Sequence, residues 1–116
     1  MKSKRCAIFL NGIIKDYNYI KTKLRKNDFI IAVDGGINHI KELCLSPNLI
    51  LGDFDSSVLS EALKYKNAEI KKYKKDKDYT DGEIAINYVI DEKFFEVVIF
   101  GALGNRIDHM LSNINM

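Results

Sequence analysis

The sequence has few of the residues that mark secreted scaffolds or metal–thiolate proteins. Its 116 residues include two cysteines, two histidines, one proline and no tryptophan. Two cysteines without a Cys-x-x-Cys pair exclude a disulfide framework and give no zinc-binding pattern. We therefore expect Cys6 and Cys44 to be buried free thiols in a cytoplasmic protein. His39 has no acidic or cysteine partner on its predicted helix, and we interpret it as structural.

Charge of one sign and long apolar runs are also lacking. The formal net charge is only +2, which gives no strong attraction to nucleic acid or to an anionic membrane. The apolar runs are strand-sized, too short to cross a bilayer. We interpret the basic N-terminus and its short apolar stretch as leading into a first strand rather than a signal peptide. We expect no nucleic acid and no membrane as a partner.

Short apolar runs alternate with helical patterns along the chain. The predicted strands cover residues 6–10, 29–33, 49–51, 69–73 and 95–100. The predicted helices cover residues 16–25, 37–45, 58–65 and 80–90, and Thr80 with Glu83 forms a capping box at the start of the last one. Continuous apolar strands separated by helices predict an α/β fold. We expect a mostly parallel sheet with helices on both faces, a Rossmann-like three-layer domain.

The C-terminal segment has a helical spacing of apolar residues. Ile107, Met110, Leu111 and Ile114 recur at i, i+3, i+4 and i+7, which predicts a final helix. No glycine or proline ends this helix before Met116. We therefore expect the natural protein to continue beyond this chain.

Glycines and charged residues cluster directly after four of the predicted strands. The four segments cover residues 34–36, 52–56, 77–81 and 101–109. The carboxyl ends of parallel strands meet at one edge of an open sheet, where such sheets bind their ligands. We predict that the four segments form one site at that edge.

Asp53 and Asp55 are the most specific local feature of this predicted site. Aspartates at i and i+2 after a buried strand direct two carboxylates at one point, and close like charges repel unless a cation lies between them. Without histidine or cysteine nearby, oxygen-ligated Mg²⁺ is favoured. Alone, an Asp-x-Asp motif is more often a helix cap beside a solvated acid, but the acids that follow neighbouring strands favour a metal site here. Asp81 is either a third ligand or a partner of the helix dipole.

Other residues of the four segments suit a phosphate group. Gly35 and Gly36 allow a close approach to the backbone before a helix N-terminus, although a simple turn explains them equally well. Arg106 is planar and always charged, and Lys77 can neutralise a phosphate oxygen. Asp108 can orient Arg106 or accept a hydrogen bond from a ligand hydroxyl. No GxxxxGK[ST] loop is present, which excludes a P-loop enzyme.

The four segments together resemble the thiamine pyrophosphokinase family. The resemblance is carried by Asp34-Gly35-Gly36 and then by GDFDS at 52–56, KDYTD at 77–81 and GALGNRIDH at 101–109, in the order that the family has. Gly82 and Asn105 depart from the family pattern, but both flank motif residues that are kept.

The resemblance implies an enzyme, a thiamine diphosphokinase, that transfers the pyrophosphoryl group of ATP to thiamine and releases AMP. It also implies that residues 1–116 are the N-terminal α/β catalytic domain of a two-domain protein. The C-terminal β-sandwich that the family uses to help bind thiamine would then be absent from this chain. ATP and thiamine would be its small-molecule partners, and the full-length protein would form a homodimer.

The resemblance further implies roles for single residues. Mg²⁺ would be held by Asp53, Asp55 and Asp81, and the ATP phosphates would bind through the ion. The residues implied to be catalytic are Asp34, Asp53, Asp55, Asp81 and Arg106. The residues implied to bind the nucleotide are Gly35, Gly36, Ser56, Lys77, Thr80, Gly101, Gly104, Arg106 and Asp108.

Three other interpretations stay open at this point. One is a different Asp-x-Asp transferase that uses Mg²⁺ and a nucleotide, which would not release AMP in step with a diphosphate product. Another is a nucleotide-binding module that is inactive without its C-terminal domain. A basic RNA-binding module is the third, but the lysine-rich residues 71–77 lack an array of aromatic rings for base stacking.

Overall fold

The computed structural model describes residues 5–73, 81–101 and 109–113, and for residues 81, 82 and 109–113 it describes the backbone alone. The strands are β1 (Arg5–Phe9), β2 (Phe29–Val33), β3 (Leu49–Gly52), β4 (Glu69–Lys72), β5 (Glu96–Phe100) and β6 (His109–Asn113). The helices are α1 (Tyr17–Lys23), α2 (Ile37–Glu42), α3 (Ser56–Ala62) and α4 (Asp81–Asp91). The predicted elements up to β5 are confirmed, with ends shifted by a few residues. Thr80 of the predicted capping box lies outside the described residues.

One sheet contains all six of these strands in the order β4-β3-β2-β1-β5-β6. Strands β1 to β5 pair in parallel, and β6 runs antiparallel to β5. The prediction of a mostly parallel sheet is therefore confirmed. The chain steps outward from β1 to β4 and then returns to the other side of β1, so the strand order reverses between β1 and β5. Open sheets have their ligand crevice at the carboxyl ends of the strands beside such a reversal.

Helices cover both faces of the sheet, as the apolar character of the strands predicted. Ile20 of α1 and Ile40 of α2 belong to the apolar core on one face, together with Phe9 and Phe100. Val89 of α4 belongs to the core on the opposite face. Crossovers between parallel strands are right-handed, so a chain that reverses its direction across the sheet places its next helix on the other face. No helix in the described ranges is long and apolar enough to cross a membrane.

The prediction of a C-terminal helix is wrong. Residues 109–113 form β6, in which Leu111 lies opposite Val98 of β5. Two apolar neighbours such as Met110 and Leu111 fit a helical or an extended pattern in so short a segment. The pairing of β6 with β5 satisfies the backbone hydrogen-bonding groups that β5 would otherwise leave unpaired at the edge of the sheet. Ile107 and Ile114, the other two residues of the helical pattern, lie outside the described residues.

Helix α2 ends earlier than predicted, which changes the position of Cys44. Cys44 adopts a left-handed conformation with φ of 55°. Its amide donates to the Lys41 carbonyl at 3.1 Å, and the Leu45 amide donates to the Ile40 carbonyl at 3.0 Å. These are the two hydrogen bonds of a Schellman motif, which ends a helix. Cys44 is therefore exposed, and the prediction of its burial is wrong, whereas Cys6 is buried as predicted and burial raises the pKa of its thiol.

A buried ion pair joins the start of β1 to the loop before β2. The Arg5 guanidinium donates from Nε and Nη2 to the two carboxylate oxygens of Asp28, at 3.0 and 2.7 Å. The two side chains are only 9% and 2% exposed. Asp28 also accepts a hydrogen bond from the Arg25 amide at 2.9 Å. The pair therefore sets where β1 lies relative to the end of the α1–β2 connection.

Replacing Arg5 by alanine is expected to destabilise the fold. Arg5→Ala leaves the Asp28 carboxylate buried without its cation, which costs about 3 kcal/mol or more of unfolding free energy. Urea denaturation at pH 7 measures the loss. Arg25→Ala is the matched control because the Arg25 side chain is 68% exposed and lies 3.9 Å from Glu96. That variant should lose less than about 1 kcal/mol, and an equal loss in the two variants would contradict the role given to the buried pair.

Candidate functional site

An open cleft with a volume of about 690 Å³ lies beyond the carboxyl ends of β1, β2 and β3. The residues that line it are Asn11, Asp34, Gly35, Asn38, Asp53, Phe54, Asp55, Ser57 and Val58. Asp34, Gly35, Asp53 and Asp55 come from two of the four segments that the sequence analysis assigned to one site. The described lining contains three acids and no lysine, arginine or histidine. Its charge therefore favours a cation over a bare anion.

The turn after β2 brings the chain close to the end of β1. A short 3₁₀ turn covers Asp34–Gly36 before α2 begins. A Cβ atom on Gly36 would overlap the carbonyl oxygen of Phe9, and one on Gly35 would overlap the Asn11 side chain. Gly36 is thus required by its close packing against the backbone of β1, whereas a side chain at residue 35 would have to displace Asn11. Gly35 lines the cleft, whereas Gly36 is buried behind it.

The turn after β3 is joined to the turn after β2 by the Asp34 carboxylate. Oδ1 of Asp34 accepts hydrogen bonds from the backbone amides of Asp53 and Phe54, each at 3.0 Å. Gly52 has φ of 156°, and a Cβ atom there would overlap the Asp34 carboxyl group. Phe54 has φ of 41°, in the left-handed region. Two neighbouring strand ends are therefore connected through one side chain.

Asp55 is the N-cap residue of α3. Its Oδ1 accepts from the Val58 amide at 2.9 Å and from the Ser57 hydroxyl at 2.8 Å. These hydrogen bonds, with that of Val58 the stronger cause, lower the pKa of the Asp55 carboxyl below its usual value. The alternative considered for the Asp-x-Asp motif, in which one aspartate caps the following helix, is correct for Asp55. Both of these bonds use Oδ1.

Asp53 contributes an exposed carboxylate to the same cleft. Its backbone amide is held by Asp34, but its side chain has no hydrogen bond or ion pair with the residues that the structure describes. The other acid of the motif, Asp55, likewise offers only carboxylate oxygens as ligands. Carboxylate oxygens are the ligands that hard cations such as Mg²⁺ prefer, so the chemistry of these donors fits the predicted ion.

Two of the three predicted metal ligands, Asp53 and Asp55, have side chains that the structure describes. No group of three acidic, histidine or cysteine side chains within the described ranges is placed to hold a metal ion. The third predicted ligand, Asp81, is the first residue of α4, and its side chain lies outside the description. Its assignment therefore stays a prediction.

The remaining predicted site residues fall into two groups. Ser56 is exposed at the start of α3, and Gly101 is buried with φ of 77° where a Cβ would lie 2.6 Å from the Leu10 carbonyl oxygen. Neither of them lines the described cleft. The predicted residues that lie outside the described ranges are Lys77, Thr80, Gly104, Arg106 and Asp108.

Three polar residues that line the cleft were missed by the sequence analysis, namely Asn11, Asn38 and Ser57. Asn11 follows β1 just as the acids follow β2 and β3, so its position after a strand is a signal that could have identified it. Asn38 lies in the first turn of α2, which begins directly after Gly36. Ser57, rather than its neighbour Ser56, donates to Asp55. A serine pair does not reveal from sequence which hydroxyl faces the capping residue.

His39 is structural, as predicted, and it connects the loop after β1 to α2. Its Nε2 lies 2.6 Å from the Gly12 carbonyl oxygen, and its Nδ1 lies 2.6 Å from the Tyr17 hydroxyl. A carbonyl oxygen accepts only, so Nε2 carries a proton. Burial, followed by the nearby Glu42 charge, raises the pKa of the Tyr17 hydroxyl. The hydrogen bonds of His39 thus fix the loop that places Asn11 in the cleft.

The capping role of Asp55 predicts a pH-dependent effect on stability. The folded state lowers the Asp55 pKa, so its contribution is present above the unfolded-state pKa and is lost as pH falls through the lower folded-state value. Asp55→Ala should therefore lower the urea midpoint at pH 7, and its difference from wild type should shrink below about pH 4. Asp55→Asn is the control because asparagine caps a helix without titrating. A wild-type advantage over Asp55→Ala that is unchanged between pH 7 and pH 3.5 would contradict this account.

Relatives of known name show the same architecture. The chain is 32% identical over 88 residues to the thiamine pyrophosphokinase of Bacillus subtilis (strain 168), a match that covers 74% of this chain and 41% of that protein. The crystal structure of thiamine pyrophosphokinase from Bacillus subtilis superposes with a TM-score of 0.66 at 24% identity, over 90% of this chain and 50% of the other. For thiamin pyrophosphokinase from Candida albicans the TM-score is 0.58 at 23% identity, over 78% and 32% of the two chains.

The chain spans about half the length, or less, of these relatives. At these identities the superpositions show the fold alone. The family itself is shown by a sequence match to the family model described as thiamin pyrophosphokinase, catalytic domain, over residues 20–116. The matched region includes both turns that form the acidic cleft. The chain therefore belongs to the thiamin pyrophosphokinase catalytic domain family.

Proposed function

We propose that this chain is the catalytic part of a thiamine diphosphokinase, which transfers the pyrophosphoryl group of ATP to thiamine. The observation that carries the proposal is the acidic cleft at the ends of β2 and β3. A chain of this family presents Asp53 and Asp55 there, directly after a buried strand. Both acids belong to the segment at 52–56 that carries the family resemblance.

The acids of the cleft require a cation if a nucleotide polyphosphate is to bind. Three carboxylates line the described part of the cleft, and they would repel the phosphates of free ATP. We assign Asp53 and Asp55 as ligands of Mg²⁺, with Asp81 as the third. Bound Mg²⁺ would neutralise phosphate charge and orient the reacting groups. The protein's part is to hold the acids in place, because phosphoryl transfer depends mostly on positioning and charge.

The reaction proposed is an in-line displacement at the β-phosphorus of ATP. The hydroxyl oxygen of thiamine forms a bond to that phosphorus, and the bond to the oxygen bridging the α- and β-phosphates breaks. AMP leaves with the bridging oxygen, and the hydroxyl proton passes to solvent or to a base of the site. Lys77, Arg106 and Asp108 would line the nucleotide and the transferred group, and Arg106 is suited to two parallel hydrogen bonds with one phosphate.

We propose further nucleotide contacts for this domain and an assembly for the full-length protein. Gly35, Thr80 and Gly104 would lie along the nucleotide. The full-length protein would work in the cytoplasm as a homodimer with its active site formed across the two subunits, and a C-terminal β-sandwich would help to bind thiamine. The chain's modest net charge of +2 gives no reason to propose a nucleic acid or a membrane as a partner.

The proposed reaction is tested by following two products together. The full-length protein is incubated with ATP and Mg²⁺, with and without thiamine, and AMP and thiamine diphosphate are separated by chromatography. We expect AMP to form only when thiamine is present, in amounts equal to the diphosphate. Release of ADP, or of AMP without thiamine, would replace the proposal with a different nucleotide-dependent transferase. Binding of ATP without consumption would reduce it to a nucleotide-binding module.

The Asp53 carboxylate is predicted to be required for turnover. Asp53→Asn keeps the size of the side chain but removes its charge, so the ion loses a charged ligand. Because a bound metal supplies several kcal/mol of charge stabilisation, kcat should fall at least about a hundredfold. The concentration of Mg²⁺ that gives half-maximal rate should rise in parallel, since the remaining ligands hold the ion less tightly.

Asp91→Asn is the matched control for this variant. Asp91 is also an exposed aspartate, but it lies at the end of α4 and outside the acidic cleft. Its replacement should leave kcat and the Mg²⁺ requirement unchanged within about twofold, as for a surface substitution. Full activity of Asp53→Asn, with the replacement verified by mass spectrometry, would remove Asp53 from the metal site.

A further inference from the structure

We propose that Asp34 is a positioning residue, whose carboxylate shapes the turn that carries Asp53 and Asp55. The family resemblance implies instead a direct catalytic role for Asp34, beside the metal or the attacking hydroxyl. The inference rests on the proposed function for its kinetic test, but its structural test is independent of any activity. It concerns how two strand ends are held in one arrangement.

The contact that carries the inference is between one side-chain oxygen and two consecutive amides. Oδ1 of Asp34 accepts from Asp53 N and from Phe54 N, each at 3.0 Å. An oxygen that accepts two amide hydrogen bonds fixes the orientation of two successive peptide groups. Since the Asp53 side chain branches from between them, its direction into the cleft is set by the same pair of bonds.

The local backbone conformation is consistent with this role. Phe54 has φ of 41°, a conformation that is costly for a bulky residue and persists only where its surroundings impose it. Gly52 leaves room for the Asp34 carboxyl, because a Cβ atom at residue 52 would overlap it. The backbone on each side of Asp53, at Gly52 and at Phe54, is therefore shaped to accommodate the side chain of Asp34.

Asp34 itself adopts φ of 46°, which limits the residues that can replace it without strain. Aspartate, asparagine and glycine enter the left-handed region most readily. This allows a test with two variants that share the backbone conformation. Asp34→Asn keeps a side-chain oxygen that can accept from both amides, and it removes the charge. Asp34→Gly removes the oxygen and the charge together.

The structural test measures amide hydrogen exchange by NMR in the protein without ligands. In Asp34→Gly the amides of Asp53 and Phe54 should exchange more than about tenfold faster than in wild type, because hydrogen bonds to a charged acceptor are lost. In Asp34→Asn they should stay within about threefold of the wild-type rates. The Ile30 amide, which donates to Asn48 Oδ1 at 2.8 Å, is an internal control that should not change in either variant.

The kinetic test uses the full-length protein and the AMP assay. Asp34→Gly should lower kcat more than about a hundredfold, as expected when reacting groups are displaced by about an ångström. Asp34→Asn should keep kcat within about tenfold of the wild-type value, and its Mg²⁺ requirement should be the same as that of wild type. A group that binds the ion or the substrate through its charge would not be rescued by asparagine.

Two outcomes would overturn the proposal. If Asp34→Asn is as inactive as Asp34→Gly while its turn amides stay protected, then Asp34 acts directly through its charge. If the amides of Asp53 and Phe54 remain protected in Asp34→Gly, the turn does not depend on this side chain. An inactive wild-type protein would instead contradict the proposed function, and the exchange rates alone would then decide the role of Asp34.

Discussion

Parallel pairing of β1, β2 and β3 is the constraint on which the candidate site depends. Because the three strands point the same way, the residues that follow Phe9, Val33 and Gly52 emerge at one edge of the sheet. Each of these strands is almost wholly buried, so their ends are placed by the packing of the core rather than by the loops themselves. The site is thus built from short turns on a rigid support, and this arrangement holds polar groups more precisely than a long loop would.

The sequence was most informative where the chemistry of a residue and its distance from a strand agreed. Strand-length apolar runs located the sheet, and acids after two of them located the cleft. The failures have physical causes as well. The spacing of apolar residues predicts a helix at Leu111 because it does not reveal that β5 has an unpaired edge. The sequence predicts a buried helical position for Cys44 because no glycine marks the Schellman motif. Asp34 illustrates a third kind of difficulty, since a carboxylate that caps amides from a distant turn looks, in sequence, like any other candidate ligand.

Electrostatics divides the molecule into two parts with different requirements. At the amino ends of the strands, Asp28 is neutralised within the fold by Arg5, and its charge serves stability. At the carboxyl ends, Asp53 and Asp55 have no cationic partner among the residues that the structure describes. Close carboxylates without a cation cost stability, and proteins keep them at places where a ligand supplies the missing charge.

The capping bond of Asp55 has a thermodynamic consequence for whatever binds in the cleft. The Val58 amide and a cation would draw on the same carboxylate, so occupancy of the cleft and fraying of the first turn of α3 are linked equilibria. By reciprocity, the factor by which a bound ion changes the order of that turn equals the factor by which the order of the turn changes the ion's affinity. The order of the first turn of α3 would thus change the affinity for a cation bound by Asp55.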